Sequence, residues 1–547
     1  MQSIRQFRNL RQQVHEQLHT LSEKDISVAI PKQESDNSGA ASAPNDTDSE
    51  LEKSSAVANR IDGVECRKRS EDEGGTGLVF VVGWGQDNPQ NPYNWSTARR
   101  LVATLLVAAI ALSVTATSSV EAAVTPQSSA TFHVSETAGS LTTGMYLIGF
   151  AVGSLFAGSF SEMFGRNLVY LVAMIIYMLF IMGTALAPNF AGAIILRFFS
   201  GFFGSTPLTV AGGTIADIWT PLEAAWTFPL MALLAFGGPL LGPVISAFIG
   251  GNISFRWAEW LMLILAGVVL SLIMAFQPET YSPLLLRWRA QHLRRATGDD
   301  RYRAEMEIKS TPLAARLLTA LWRPFAFVIT EPIVLLFAVY LTLIYIVLFT
   351  FFNGFAYIFT KPYGISQGLT NIIWLAVLLG VFLAGPLIPI LYRQTARELE
   401  AAKAEGRLWR PEIRLWYAML GGSVSIPISL FWVGWTCYSS VSIWAPICGT
   451  VLFGYGLMTI FTSAYMYIID VYLIYAASAL SFNAFARYTV AGGMTVVGIP
   501  MFERLGPHWT LTLLGCISVL LAPIPFVLYR YGPMIRQRSK NVVNRQL

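Results

Sequence analysis

The sequence predicts an all-α membrane protein of twelve transmembrane helices arranged as two six-helix halves. Three observations lead there. Charged residues make up only 13% of the chain against 54% hydrophobic residues. That is about half the charge of a typical soluble domain, so most of the surface must face lipid. Apolar runs long enough to cross a hydrocarbon core of about 30 Å follow one another from Leu101 onward. Finally, the basic residues are segregated: 278–325 holds nine, 392–413 holds five and the carboxyl end holds five, whereas 121–138 holds none and 353–368 only Lys361.

The runs place spans near 101–120, 139–160, 168–187, 191–216, 224–250 and 257–276. After a polar interval come 326–352, 369–391, 414–437, 442–468, 475–501 and 508–530. Each run is long and unbroken, which argues for helices rather than the ten-residue alternating segments of a barrel. An even count puts all three basic segments on the side of Arg99 and Arg100. By the positive-inside rule both termini are then cytosolic.

The order is a polar tail (1–98), a six-span half (99–277), a basic central loop (278–325), a second half (326–531) and a short tail (532–547). The first segment is rich in Ser, Glu, Asp, Gln and Lys, with little to bury, and reads as a disordered cytosolic tail. It lacks the apolar core and cleavage site of a signal peptide. In the central loop, Leu286, Trp288 and Leu293 lie among arginines. They fit an amphipathic helix on the inner leaflet, or a solvated linker. A six-plus-six layout is that of a transporter built from two related halves, with its substrate site between them near the midplane. The four cysteines, Cys66, Cys437, Cys448 and Cys516, show no pairing or regular spacing, so neither a disulfide framework nor a metal site is expected. No P-loop, GxSxG or HExxH occurs, which argues against an enzyme and against an ATP-driven pump. No cofactor and no nucleic-acid partner are expected.

Four places carry chemistry. The loop after span two contains Gly158, Glu162, Gly165 and Arg166. Glycines suit a tight turn, and an acid and an arginine this close can pair and hold one gate state shut, unless they are ordinary loop charges. Span four carries Arg197; a guanidinium in a span is expensive and marks function, unless it snorkels to the outer interface. Span five contains Gly238-Pro239 and Gly242-Pro243, small residues for close packing and prolines that kink. Arg487 lies well inside span eleven. Glu121, at the outer end of span one, is either a proton acceptor or an interfacial charge. Asp470 either pairs with a helix end or is a solvated loop acid. Asn252-Ile253-Ser254 is a glycosylation sequon in an outward loop.

These motifs resemble a known family. The span-two loop resembles the signature G-x-x-[SD]-[ED]-x-x-G-R of the major facilitator superfamily, with Asn167 where a second basic residue is usual and Ser159 where proline is common. Arg197 with Gly201 resembles the R-x-x-x-G of that superfamily's proton antiporters. Gly238-Pro239-x-x-Gly242-Pro243 resembles their G-P-x-x-G-P motif, with Ser246 and Ala247 in place of trailing glycines. Asn483-Ala484-Phe485-Ala486-Arg487 resembles the family's N-x-F-x-R. With strings such as Asp87 to Ser96 and Phe255 to Trp260, the resemblance covers about 84–540 and points to the fungal branch of the twelve-spanner drug:proton antiporters. It implies the major facilitator fold and a monomeric multi-pass efflux pump of the plasma membrane. Such a pump expels amphipathic drugs, toxins or secondary metabolites in exchange for protons and so confers drug resistance, with Arg197, Glu121 and Arg487 in proton coupling. Uptake by facilitated or proton-coupled transport, or a non-transporting sensor signalling through the long tail, are the alternatives.

Overall fold

The computed structural model describes residues 2–19, 61–69, 77–249, 253–308, 313–407 and 409–539. The chain divides into two compact units: Met1–Ala103 with Glu162–Asn167 and Met274–Arg316, and Thr104–Ser161 with Leu168–Ile273 and Leu317–Leu547.

The larger unit holds most of each membrane helix. Span one (Thr97–Val120) continues through a 3-10 turn (Glu121–Val124) into Thr125–Phe132. Spans two to six are Leu141–Phe164, Arg166–Leu186, Phe190–Ile218, Pro221–Ile245 and Trp257–Phe276. Spans seven to ten are Pro332–Phe355, Gln367–Glu405, Pro411–Thr436 and Trp444–Tyr472. The helix Ala476–Leu521 is two spans: Gly506 breaks it with φ +74° and ψ 166°, a conformation glycine adopts freely, and Pro507 follows. Eleven apolar helices long enough to cross a membrane, the last of them double, make the twelve spans among the described residues.

Local chemistry sets the ends. Thr220 and Glu223 form a capping box at the start of span five, with Pro221 in the first turn. The side chain of Asn189 accepts from Gly192 N at 2.7 Å at the start of span four. Span seven starts six residues later than expected. Leu313–Thr330 is a separate helix, Glu331 is extended (φ −119°, ψ 96°), and Pro332 opens the span. A proline forces the residue before it out of helical geometry, and an apolar run alone does not reveal that break.

The halves pack in corresponding ways. A Cβ on Gly149 or Gly201 would strike the backbone of Phe198 or Tyr146, bringing spans two and four backbone to backbone. Gly380 and Gly454 do the same against Val451 and Val377 for spans eight and ten. With lipid outside, such small-residue contacts replace the hydrophobic drive of a soluble core.

At 2–19, 61–69 and 77–98, the part of the tail that is described, the smaller unit replaces the expected disorder with packed structure. Gln2–His19 is helical, and β1 (Val64–Lys68) pairs antiparallel with β2 (Leu78–Val82), which pairs parallel with β3 (Tyr302–Arg303). Val14, Ile61, Val64, Phe80 and Val82 share a core with Ala290, Leu293 and Tyr302. The few apolar residues of the tail suffice because the helix Ser282–Thr297 supplies the other wall. The same contact overturns the inner-leaflet reading of that helix: Leu293 is buried here, Leu286 packs against this core, and Trp288 meets Phe7 edge-on at 5.6 Å. Buried Arg289 donates to Asp62 O at 2.6 Å and Gln17 Oε1 at 3.2 Å, tying helix and tail together.

Candidate transport site: a buried ion cluster and an aromatic cavity

Arg197 is fully buried rather than snorkelled to an interface. Its Nε lies 3.0 Å from Glu121 Oε2, its Nη2 2.9 Å from Glu259 Oε1, and its Nη1 donates to Thr117 O at 3.1 Å. The Tyr146 ring sits 5.4 Å from the guanidinium. Three spans build this cluster. The 3-10 turn that extends span one carries Glu121 inward, span four brings Arg197, and Glu259 occupies the first turn of span six, where the helix dipole favours an acid. In the sequence Glu259 stands only within the string Phe255 to Trp260, with no role of its own. Its adjacency to Glu121 appears only when spans one and six meet on span four. Two carboxylates face one guanidinium, so with all three ionised the cluster carries one net negative charge. Charges away from water are tolerated only when paired, and one proton would make the set neutral.

Span five packs against span one beside this cluster. A Cβ on Gly238 would come within 2.5 Å of Leu112 O, and one on Gly242 within 2.6 Å of Ala116 O. Pro239 and Pro243 lack the N–H that would bond the carbonyls four residues back, Ala235 and Pro239. Span one answers both. The Thr115 hydroxyl lies 2.9 Å from Ala235 O and 2.6 Å from its own Ala111 O, and Ser119 donates to Pro239 O at 2.8 Å. The matching four-residue spacing of hydroxyls and prolines lets span five bend without stranding a carbonyl.

In the loop after span two, Gly165 has φ +88°, and a Cβ there would lie 2.6 Å from Glu279 Oε2. The partner of the loop is this Glu279 rather than the expected Glu162. Its carboxyl accepts from the backbone N–H groups of Arg166 (2.9 Å), Asn167 (3.1 Å), Thr280 (3.0 Å) and Tyr281 (2.9 Å), capping span three. Burial raises the proton affinity of Glu279, and the N–H donors and the Arg166 charge oppose that. The Arg166 guanidinium lies 4.8 Å from the Tyr281 ring. Glu162 is exposed, and around Gly158 a Cβ would meet open space. Gln6 exchanges two hydrogen bonds with the Glu279 backbone, at 3.1 and 2.7 Å.

Hydrogen bonds close the seam between the halves at both ends. Where spans four and five connect, Arg414 pairs with Asp470 at 2.8 Å and donates to Pro221 O at 2.9 Å, so Asp470 is a buried ion-pair partner and not a solvated acid. At the opposite end Gln127 Nε2 meets Gln367 Oε1 at 3.0 Å. Along the seam lies a cavity of about 30 Å³, bounded by Phe150, Phe228 and Met231 of the first half and Phe461, Tyr465 and Arg487 of the second. It has room for one or two waters. Arg487 is fully buried and shares no contact residue with the Arg197 cluster; rings of Tyr345, Tyr488, Phe461 and Tyr465 surround it at 4.7–5.2 Å. A desolvated cation–π contact is worth about 2 kcal/mol or more, against a burial penalty of several. Asn252 lies outside the described residues. Among the described residues no group of three or more His, Cys, Asp or Glu could hold a metal ion.

Comparison with known proteins agrees with this architecture. The chain is 44% identical over 486 residues to the MFS-type transporter kojT of Aspergillus oryzae, covering 88% of this chain and 86% of that one. It is 36% identical over 463 residues to an MFS-type efflux pump of Trichophyton rubrum, covering 84% and 77%. The partially occluded inward-open structure of the Escherichia coli xylose transporter XylE superposes with a TM-score of 0.55 at 15% identity, over 79% of this chain and 99% of that one; the likeness is one of fold. Residues 104–496 match the family model of the Major Facilitator Superfamily, and the chain belongs to that superfamily of membrane transporters.

Proposed function

We propose that the protein exports small amphipathic organic molecules from the cytosol in exchange for protons, at the plasma membrane and with both termini inside. The observation that carries this reading is the Glu121–Arg197–Glu259 cluster, a buried set one proton short of neutrality within the first half. One of the two glutamates takes the proton, and Arg197 holds both in place. Loading that proton removes the charge imbalance and changes which packing of spans one, four and six is favoured; coupling requires such a bias. Span five supports the same reading, since it both bends beside span one and lines the cavity, so it can pass the bias to the substrate. The loop at Gly165 and Arg166, capped by Glu279, then acts as the gate on the cytosolic side. The efflux-pump relative favours export over uptake.

The test measures efflux of a panel of amphipathic fluorescent compounds from cells carrying the protein, with ATP kept high. Efflux is expected to collapse when an uncoupler dissipates the proton gradient. In Glu259→Gln at normal membrane abundance it is expected to lose its gradient dependence. Efflux that survives the uncoupler overturns proton antiport.

A further inference from the structure

Resting on the transport reading, we infer that Arg487 is a substrate-binding residue and that the cavity it lines selects flat organic anions. Its Nη1 donates to the Tyr465 hydroxyl, but Nε and Nη2 are buried without a hydrogen-bond acceptor among the described residues. Arg197 and Arg414, two other buried arginines of the bundle, each hold a carboxylate; Arg487 has the Tyr465 hydroxyl and the faces of four rings. A guanidinium left with unused donors in a low-dielectric cavity focuses positive potential there. The two idle N–H positions form one edge of the planar fork that matches a carboxylate, sulfonate or enolate. Phe150, Phe228 and Phe461 offer apolar faces to the body of such a ligand. Arg487 already lies over the faces of Phe461 and Tyr465, so an organic cation entering there meets a like charge. At about 30 Å³ the cavity is collapsed, so the ligand enters when the halves part, and Arg487 is the buried charge it then meets.

The full-length protein in liposomes is tested with three probes of one shape: naphthalene sulfonate, naphthamide and naphthyl trimethylammonium, with affinity read from the shift in thermal unfolding. The sulfonate is expected to bind at least about tenfold tighter than the amide, the ratio one charge-assisted hydrogen bond supports, and the ammonium weakest. In Arg487→Gln the sulfonate should lose its advantage over the amide. Equal binding of all three probes, a cation-first order, or a preference that survives Arg487→Gln overturns the site. If that variant does not fold, the order of the three probes on the native protein decides. Movement of the sulfonate that needs Arg487 but ignores the proton gradient overturns antiport and keeps the site. Gradient-driven movement of the amide with no sulfonate preference overturns the site and keeps antiport.

Discussion

At Arg197 the guanidinium has two carboxylates within 3.0 Å, and removing it leaves both buried without their cation. Arg197→Ala should therefore cost about 3–5 kcal/mol, the range for breaking a buried ion pair from one side. Glu259→Gln keeps an acceptor oxygen near the guanidinium and removes one net charge, so its stability should change far less while coupling is lost. Thermal unfolding of the purified variants separates the two effects; equal destabilisation would mean that Glu259 serves the fold alone. Gly165 makes a second residue-scale case. With φ +88° and Glu279 Oε2 within 2.6 Å of a Cβ, Gly165→Ala should lose about 1–2 kcal/mol from backbone strain alone. Gly158→Ala in the same motif meets open space and should be neutral in unfolding experiments.

Among the elements, span five invites a paired comparison. A Cβ on Gly238 meets Leu112 O at 2.5 Å and Ala116 N at 2.8 Å, both backbone atoms that cannot yield. On neighbouring Gly237 it meets only Leu112 Cδ1 at 3.8 Å. Gly238→Ala should destabilise by about 1–3 kcal/mol, the usual cost of overpacking, and Gly237→Ala should be tolerated. If both behave alike in unfolding midpoint and membrane abundance, close approach of spans one and five is not what the glycines supply. The amino-terminal helix is the other telling element. It contributes Val14 to the core of the smaller unit and Gln6 to the Glu279 backbone. Deleting residues 1–19 should raise hydrogen exchange in Val64–Lys68 and Leu78–Val82; unchanged exchange would show that the strands stand without it.

For the whole molecule, span count, the two-half layout and the motif residues were legible because they depend on local runs: twenty apolar residues, a proline four residues from another, a glycine before an arginine. What was not legible depends on distance along the chain. Glu259 meets Arg197 from 62 positions away, and Val14 shares a core with Leu293 and Tyr302, so neither the second acid of the cluster nor the packing of the amino-terminal helix could be seen in a local window. The same distinction applies to the seam, where Gln127 and Gln367 meet at 3.0 Å although 240 residues separate them. If transport requires the halves to part at this end, fixing the two positions together should stop it. Cysteines at 127 and 367, joined by a short thiol cross-linker with a cleavable disulfide, should abolish efflux. The background needs the exposed Cys448 and Cys516 replaced by serine. Reduction of the cross-linker should restore efflux, and either cysteine alone should leave it unchanged. Cross-linked protein that still exports would mean that the substrate path does not open between these residues, and that alternating access must be sought on another seam.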